Sequence, residues 1–184
     1  MNYPKYTKIY QICYLPISQM SSPLQMRDDV SKQHSGIIEK YDIQSIPDWV
    51  TVMDTVIYNV KDHEVPILHL DMHGDCKGFG DSINIIGWDL LIEKITDLNR
   101  ACNGQLFLSL NVCEGLYIYC FLNNNSYPLS LKTLGSFDKI YANEGRLRFT
   151  DMYKVYFNSF DMNQAVNAFF NAKPARTNGL FELV

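Results

Sequence analysis

Two apolar segments that each end in polar residues constrain the fold of this chain more than any other feature. The first, VPILHLDMHG, covers residues 65–74, and the second, QLFLSLNVCEG, covers residues 105–115. Side chains alternate along a β-strand, so each segment has one apolar face and one face that becomes polar towards its carboxyl end. The polar faces carry His69, Asp71 and His73 in the first segment and Ser109, Asn111 and Cys113 in the second. Buried parallel strands are usually apolar on both faces, so the matching polar rows predict two adjacent strands whose polar groups satisfy one another.

Strands and helices alternate along the rest of the chain. We predict strands at residues 8–15, near 41–46, and at 65–72, 105–112, 138–143 and 179–184. We predict helices at residues 35–41, after a cap at Ser45, over 88–98, and after caps at Thr150 and Asp161, with residues 17–34 mainly a loop. The alternation predicts a single α/β domain over residues 1–184, a three-layer α-β-α sandwich around a mostly parallel six-stranded sheet.

Composition and charge exclude several classes of partner. A net charge of -4 gives no electrostatic reason to expect nucleic acid or an anionic membrane as a partner. The first residues lack the pattern of a signal peptide, and no apolar run approaches the roughly 18 residues of a membrane span. The 5 cysteines show no CxxC spacing, which argues against a disulfide framework and a structural zinc site. We therefore expect a cytoplasmic protein.

His73 and Cys113 are the candidate reactive pair. Ligand sites of open α/β sheets lie beyond the carboxyl ends of the strands, which is where both residues are predicted. Neighbouring strands lie about 4.8 Å apart, so the two side chains are expected within reach of each other. An imidazole promotes the nucleophilic thiolate form of cysteine and later protonates a leaving amine. Gly74 and Gly115 leave space for a substrate, and their positions suit backbone N–H donors to an oxyanion.

The segments ILHLDMHGD and LFLSLNVCEG resemble the caspase-like cysteine peptidases of clan CD, especially the bacterial branch that includes CHAT domains. That family places His-Gly after one strand and Cys-x-Gly after the next. The resemblance implies a caspase-hemoglobinase fold and a thiol protease, a hydrolase that acts on peptide or protein substrates without a cofactor. It assigns His73 as general base, Cys113 as nucleophile and Gly74 to the oxyanion hole. Residues 111–115 read NVCEG rather than the caspase Gln-Ala-Cys-x-Gly, so cleavage after aspartate is not implied.

Three alternatives remain open. The first is a catalytically silent caspase-like module for protein interaction, and the second is Cys76 as a rival nucleophile. The third is a metallophosphatase that would use Asp71, His73 and Asp75. Such a site needs further histidine ligands downstream of His73. The histidines of this chain are His34, His63, His69 and His73, so none follows His73. No metal site is therefore expected. An activating protein partner is a further hypothesis.

Supporting and substrate-binding residues are harder to assign. We interpret Asp71, Asn111 and His69 as a hydrogen-bonded layer beneath His73. Acidic residues near the carboxyl edge are candidates for a pocket that binds a basic P1 side chain, and solvated loop carboxylates are the alternative. These residues are Asp75, Asp81, Glu114 and Glu144, with Glu144 the first to test. The C-terminal aromatics are predicted to pack in the core, with a partner surface as the alternative: Tyr153, Tyr156, Phe157, Phe160, Phe169 and Phe170.

Overall fold

The computed structural model describes residues 3–60, 65–80, 84–124, 131–172 and 181–183, and these residues contain eight strands and six helices. The strands are β1 (Tyr6–Tyr14), β2 (Ile38–Asp42), β3 (Val65–Asp75), β4 (Gly78–Gly80), β5 (Ile85–Gly87), β6 (Phe107–Val112), β7 (Lys132–Ser136) and β8 (Phe181–Leu183). The helices are α1 (Ser21–Ser31), α2 (Ile46–Asn59), α3 (Trp88–Ala101), α4 (Ile118–Asn124), α5 (Ala142–Ser159) and α6 (Met162–Asn171). Short 3-10 turns occupy Ile17–Gln19 and Gly115–Tyr117.

The central sheet has the order β2-β1-β3-β6-β7-β8. All its neighbouring strands run parallel except β7 and β8. The pairing of β3 with β6 runs in register from Ile67 opposite Phe107 to Met72 opposite Val112. The predicted side-by-side arrangement of these two strands is therefore confirmed. Strands β4 and β5 form a hairpin that was not predicted, and β4 pairs with the last three residues of β3.

Helices cover both faces of the sheet and bury two separate apolar clusters. On one face, Leu68, Leu70 and Met72 of β3 belong to the same cluster as Trp49 of α2 and Leu91 of α3. On the other face, the cluster joins Ile67 and Phe107 to residues of α1, α5 and α6, including Met26, Phe149 and Phe169. Burial of each such side chain stabilises the fold by roughly 1.5–3 kcal/mol. The predicted three-layer α-β-α sandwich with a mostly parallel sheet is confirmed.

Two of the predicted helix caps are present. The Ser45 hydroxyl accepts the backbone N–H of Asp48 at 3.2 Å, and Pro47 lies in the first turn of α2. The carboxylate of Asp161 accepts the N–H groups of Asn163 and Gln164 at the start of α6. These local signals satisfy N–H groups that have no partner within the helix, which is why sequence spacing alone locates both helices.

Several predicted elements are wrong, because tertiary pairing overrides local pattern. Residues 35–41 do not form a helix; Ile38 begins β2, which pairs with β1. Most of residues 17–34 form α1 instead of a loop. The fifth strand is β7 rather than residues 138–143, and Thr150 is buried within α5 instead of capping a helix. Strand β7 contains Gly135, a residue that does not by itself indicate a strand. Glycine permits close packing here, because an added Cβ would lie 3.1 Å from Leu110 of β6.

The predicted C-terminal strand corresponds to β8, and residues 179, 180 and 184 lie outside the described residues. Of the C-terminal aromatics, Tyr153, Tyr156, Phe157 and Phe169 are buried, whereas Phe160 and Phe170 are exposed. None of the helices in the described parts of the chain combines the length and the apolar character needed to cross a membrane.

Candidate active site

His73 and Cys113 lie at the same edge of the sheet. Met72 pairs with Val112 at the end of the β3–β6 ladder. His73 is the next residue of β3, and Cys113 is the first residue beyond the end of β6. Both side chains are half-buried. Both also line the same two clefts, one of about 320 Å³ and one of about 210 Å³. A substrate in either cleft therefore lies beside the thiol and the imidazole together.

The two clefts differ in their walls. The 320 Å³ cleft is bounded by the hairpin, through Phe79 and Ile85, and by Lys139 from the segment before α5. The 210 Å³ cleft lies towards α1, and its walls include Gln19, Asn111 and Tyr141. Asp71 also lines this second cleft. The first cleft places the apolar Phe79 and Ile85 beside the charged Asp75 and Lys139, and the second offers amide groups and the carboxylate of Asp71.

Each member of the pair has a hydrogen-bonding partner outside the pair. The Nε2 atom of His73 lies 2.6 Å from Oε1 of Gln19. An amide oxygen only accepts, so Nε2 carries the proton in this contact, and Nδ1 is the basic nitrogen of a neutral ring. The Sγ atom of Cys113 accepts the backbone N–H of Ile140 at 3.4 Å. The thiol of Cys113 in turn donates to the backbone oxygen of Ile140 at 3.6 Å.

Gly74 brings the end of β3 close to the end of β6. A Cβ atom at this position would lie 2.4 Å from Cγ1 of Val112 and 2.6 Å from the backbone oxygen of Cys113. Gly74 also pairs with Phe79 of the hairpin, so its backbone is held on both sides. Only glycine fits between these two strand ends without a shift of the backbone.

We expect Gly74→Ala to lower the free energy of unfolding by about 1–3 kcal/mol. The added methyl group must displace the backbone that carries Cys113. The matched control is Gly87→Ala, where nothing lies within 4 Å of an added Cβ, and its free energy of unfolding should fall by less than about 1 kcal/mol. Urea unfolding measures both effects, and equal losses in the two variants would contradict this interpretation.

A buried hydrogen-bonded network lies behind the pair. The carboxylate of Asp71 accepts hydrogen bonds from Gln11 at 2.8 Å and from Asn111 at 2.6 Å. The Nε2 atom of His69 lies 3.1 Å from the same carboxylate. On its other side, the Nδ1 atom of His69 lies 2.7 Å from the hydroxyl of Tyr153 on α5. The network joins strands β1, β3 and β6 to helix α5.

The network holds a charge inside the protein. Burial alone would raise the pKa of Asp71, but the neighbouring His69 and the hydrogen bonds from His69, Gln11 and Asn111 hold this pKa below its ordinary value. In the described ranges, no three His, Cys, Asp or Glu side chains form a group that could hold a metal ion. The donors and acceptors of Asp71 and His69 are directed at protein partners, so we do not carry the metallophosphatase hypothesis forward.

The first turn of α5 packs directly on this network. A Cβ atom on Gly145 would lie 1.8 Å from Oδ1 of Asn111. The helix therefore approaches β6 as closely as a backbone without a side chain allows. Asn111 is held between Asp71, whose carboxylate accepts its amide hydrogen, and this helix turn.

The structure places Glu144 in an ion pair instead of at a cleft. Glu144 is only 4% exposed, and its carboxylate lies 3.1 Å from the guanidinium of Arg148. Arg148 also donates to the backbone oxygen of Phe169 at 3.0 Å, which ties α5 to α6. Because Glu144 is paired with Arg148 inside the protein, we do not propose it as the residue that binds the P1 side chain of a substrate.

The other candidate carboxylates have local roles in the backbone. Asp75 accepts the N–H groups of Lys77 and Gly78 at 2.7 and 3.2 Å, which shapes the β3–β4 turn, although it also lines the 320 Å³ cleft. Glu114 has a positive φ of 56° and lines a third, open cleft of about 750 Å³ beside Cys113. Asp81 lies outside the described residues. The rival Cys76 is exposed.

Sequence reasoning missed four groups that surround the pair: Gln11, Gln19, the backbone of Ile140, and the hydroxyl of Tyr153. A signal for Gln11 existed, because a polar residue inside the apolar strand YQICY requires a buried partner. Tyr153 was predicted only as an aromatic core residue. Gln19 belongs to an exposed turn whose local sequence carries no such signal.

Compared with known proteins, the chain matches no family model and no curated sequence. The function proposed below therefore rests on the residues and their geometry.

Proposed function

We propose that the chain is a cysteine endopeptidase with Cys113 as nucleophile and His73 as general base. The observation that carries the proposal is the position of these two residues at the ends of adjacent parallel strands, where both line the same two clefts. The resemblance to caspase-like peptidases assigns the same two residues. The β3–β6 pairing and the glycine at position 74 support that assignment.

The reaction proceeds in two steps through a covalent intermediate. The proton of the Cys113 thiol moves to Nδ1 of His73, and the sulfur attacks the carbonyl carbon of the scissile peptide bond. The negative oxygen of the tetrahedral intermediate is stabilised by backbone N–H donors, for which Gly74 is the candidate. His73 then gives its proton to the leaving amine, and the carbon–nitrogen bond breaks. A water molecule, deprotonated by His73, hydrolyses the acyl-enzyme and restores the thiol.

The 210 Å³ cleft favours a basic P1 side chain. Asp71 is the only aspartate or glutamate among the described residues that line it. No lysine or arginine lies among them. A cationic side chain that enters this cleft is attracted by the carboxylate, whereas an acidic side chain is repelled. This specificity is the opposite of that of caspases. Asp71 is only 2% exposed and its carboxylate is held by Gln11, Asn111 and His69, so it acts on the P1 side chain through its charge and not through the direct contact predicted for Glu144.

A pair of irreversible peptide probes tests this function. We expect a peptidyl electrophile with arginine at P1 to label Cys113 about 100-fold faster than the same probe with aspartate at P1. Intact-protein and peptide mass spectrometry locates the label and gives its rate. His73→Ala should slow the labelling strongly, because the imidazole no longer generates the thiolate.

The exposed Cys76 serves as the internal control for simple thiol reactivity. If Cys113 reacts no faster than Cys76 with either probe, the chain is the silent interaction module instead. If the aspartate probe reacts as fast as the arginine probe, Asp71 does not set the P1 preference.

A further inference from the structure

The imidazole of His73 is held by a side chain from another part of the chain. The Oε1 atom of Gln19 lies 2.6 Å from Nε2 of His73. Gln19 is the last residue of the 3-10 turn between β1 and α1. Gln19 is an exposed residue of a surface turn. It also lines the 210 Å³ cleft, beside the imidazole of His73.

The backbone that carries Gln19 is fixed relative to β3. The N–H of Gln19 donates to the backbone oxygen of Pro16 at 2.8 Å, which closes the turn. Four residues later, the backbone oxygen of Pro23 accepts a hydrogen bond from the amide of Gln11 at 3.2 Å. The same amide nitrogen donates to Asp71, two residues before His73 on β3. The buried Gln11 therefore links the segment of Gln19 to the strand of His73.

We propose that Gln19 is a positioning residue for His73, acting through the hydrogen bond from Nε2–H to its amide oxygen. This inference rests on the proposed function and assigns a third member to its active site. The contact selects the tautomer with Nδ1 free to accept the thiol proton of Cys113. After that transfer, the amide oxygen still accepts the Nε2–H, so it stabilises the imidazolium as well.

Other charged and titratable groups surround His73, and they stay unchanged when Gln19 is replaced. Strand β3, which carries His73, contributes two carboxylates, and the residue after β6 contributes the thiol. The segment before α5 contributes an amine and a phenol. These groups are Asp71, Asp75, Cys113, Lys139 and Tyr141. From α1 and the hairpin, the residues lining the clefts are not titratable: Ser22, Pro23, Phe79 and Ile85. A change in the titration of His73 in a Gln19 variant therefore reports the hydrogen-bond acceptor that is lost, or the charge that is gained, at position 19.

Two replacements of similar size give opposite expected results. Gln19→Leu removes the acceptor, so kcat should fall about tenfold, with a smaller change in KM. The acidic limb of the kcat/KM profile, which reports the protonation of the general base, should move to lower pH by roughly half a pH unit, because the imidazolium loses a partner. Gln19→Glu places a carboxylate against the ring and should move the same limb to higher pH. Gln33→Leu, at an exposed glutamine just beyond the end of α1, is the matched control and should change neither.

NMR titration of the His73 imidazole in the Cys113→Ala background tests the contact without any need for activity. We expect the midpoint to fall in Gln19→Leu, to rise in Gln19→Glu and to stay the same in Gln33→Leu. Equal midpoints in Gln19→Leu and the parent, or shifts of the same sign in both Gln19 variants, overturn the proposal. If the midpoints move as expected while no peptide is cleaved, the peptidase function fails and the role of Gln19 in holding the imidazole stands.

Discussion

Replacement of Cys113 by alanine is expected to lower kcat/KM for a peptide with arginine at P1 by about 10⁴-fold or more. Without the sulfur there is no nucleophile to form the acyl-enzyme, and the remaining groups only bind and orient the substrate. The fold should remain intact, because Cys113 is half-buried and lies after the end of β6. The measurement is a steady-state assay, with circular dichroism and thermal unfolding to verify that the variant is folded.

The matched control for this variant is Cys76→Ala. Cys76 lies in the turn after β3, on the same chain segment as His73, and its side chain is exposed. Its replacement should leave kcat/KM within about twofold of the wild type. The opposite pattern, in which Cys76→Ala is inactive and Cys113→Ala is active, would transfer the nucleophile to the turn and refute the assignment.

Replacement of Asp71 by alanine is expected to lower the free energy of unfolding by about 3–5 kcal/mol. The carboxylate accepts two amide hydrogen bonds and lies beside His69, and it is only 2% exposed. Its removal leaves the Asn111 amide, the imidazole of His69 and one N–H of the Gln11 amide, whose nitrogen also donates to Pro23, buried without this acceptor. Urea unfolding measures the loss. The control is Asp151→Ala, because Asp151 is exposed on α5, and a loss there as large as at Asp71 would contradict the argument.

The same carboxylate makes stability depend on pH. The pKa of Asp71 is lower in the folded protein than its ordinary value, so its contribution is present above the unfolded pKa and is lost as the pH falls through the folded pKa. We expect the wild type to lose stability below about pH 4. Asp71→Asn, which cannot titrate at this position, should show a smaller decrease over the same range. An identical decrease in both proteins would show that Asp71 does not contribute.

The parts of the fold that depend on strong local patterns could be predicted from sequence. Strands β3 and β6 alternate with period two, and their polar residues occur at matching positions, so their pairing follows from the pattern alone. The caps at Ser45 and Asp161 are equally local. Strand β2 exists because of its pairing with β1, which leaves only a weak trace in its own sequence.

The site shows the same division between local and long-range information. The positions of His73 and Cys113 follow from the ends of their strands. The burial of the Glu144–Arg148 ion pair depends on how helix α5 packs against the rest of the protein. The contact between Gln19 and His73 depends on the path of the turn after β1. The i,i+4 spacing of Glu144 and Arg148 is a local signal for an ion pair, but no short-range pattern encodes the burial of that pair or the contact of Gln19 with His73.

The close approach of Gly145 to Asn111 has a consequence for the comparison of related sequences. Since a Cβ on Gly145 would lie 1.8 Å from Oδ1 of Asn111, the two positions are not free to vary independently. Homologues with this helix position and an asparagine or a larger residue at position 111 should retain glycine at position 145. A smaller residue at position 111 should be accompanied by alanine or serine at position 145. Such paired substitutions would link a helix turn to the residue two positions before the nucleophile.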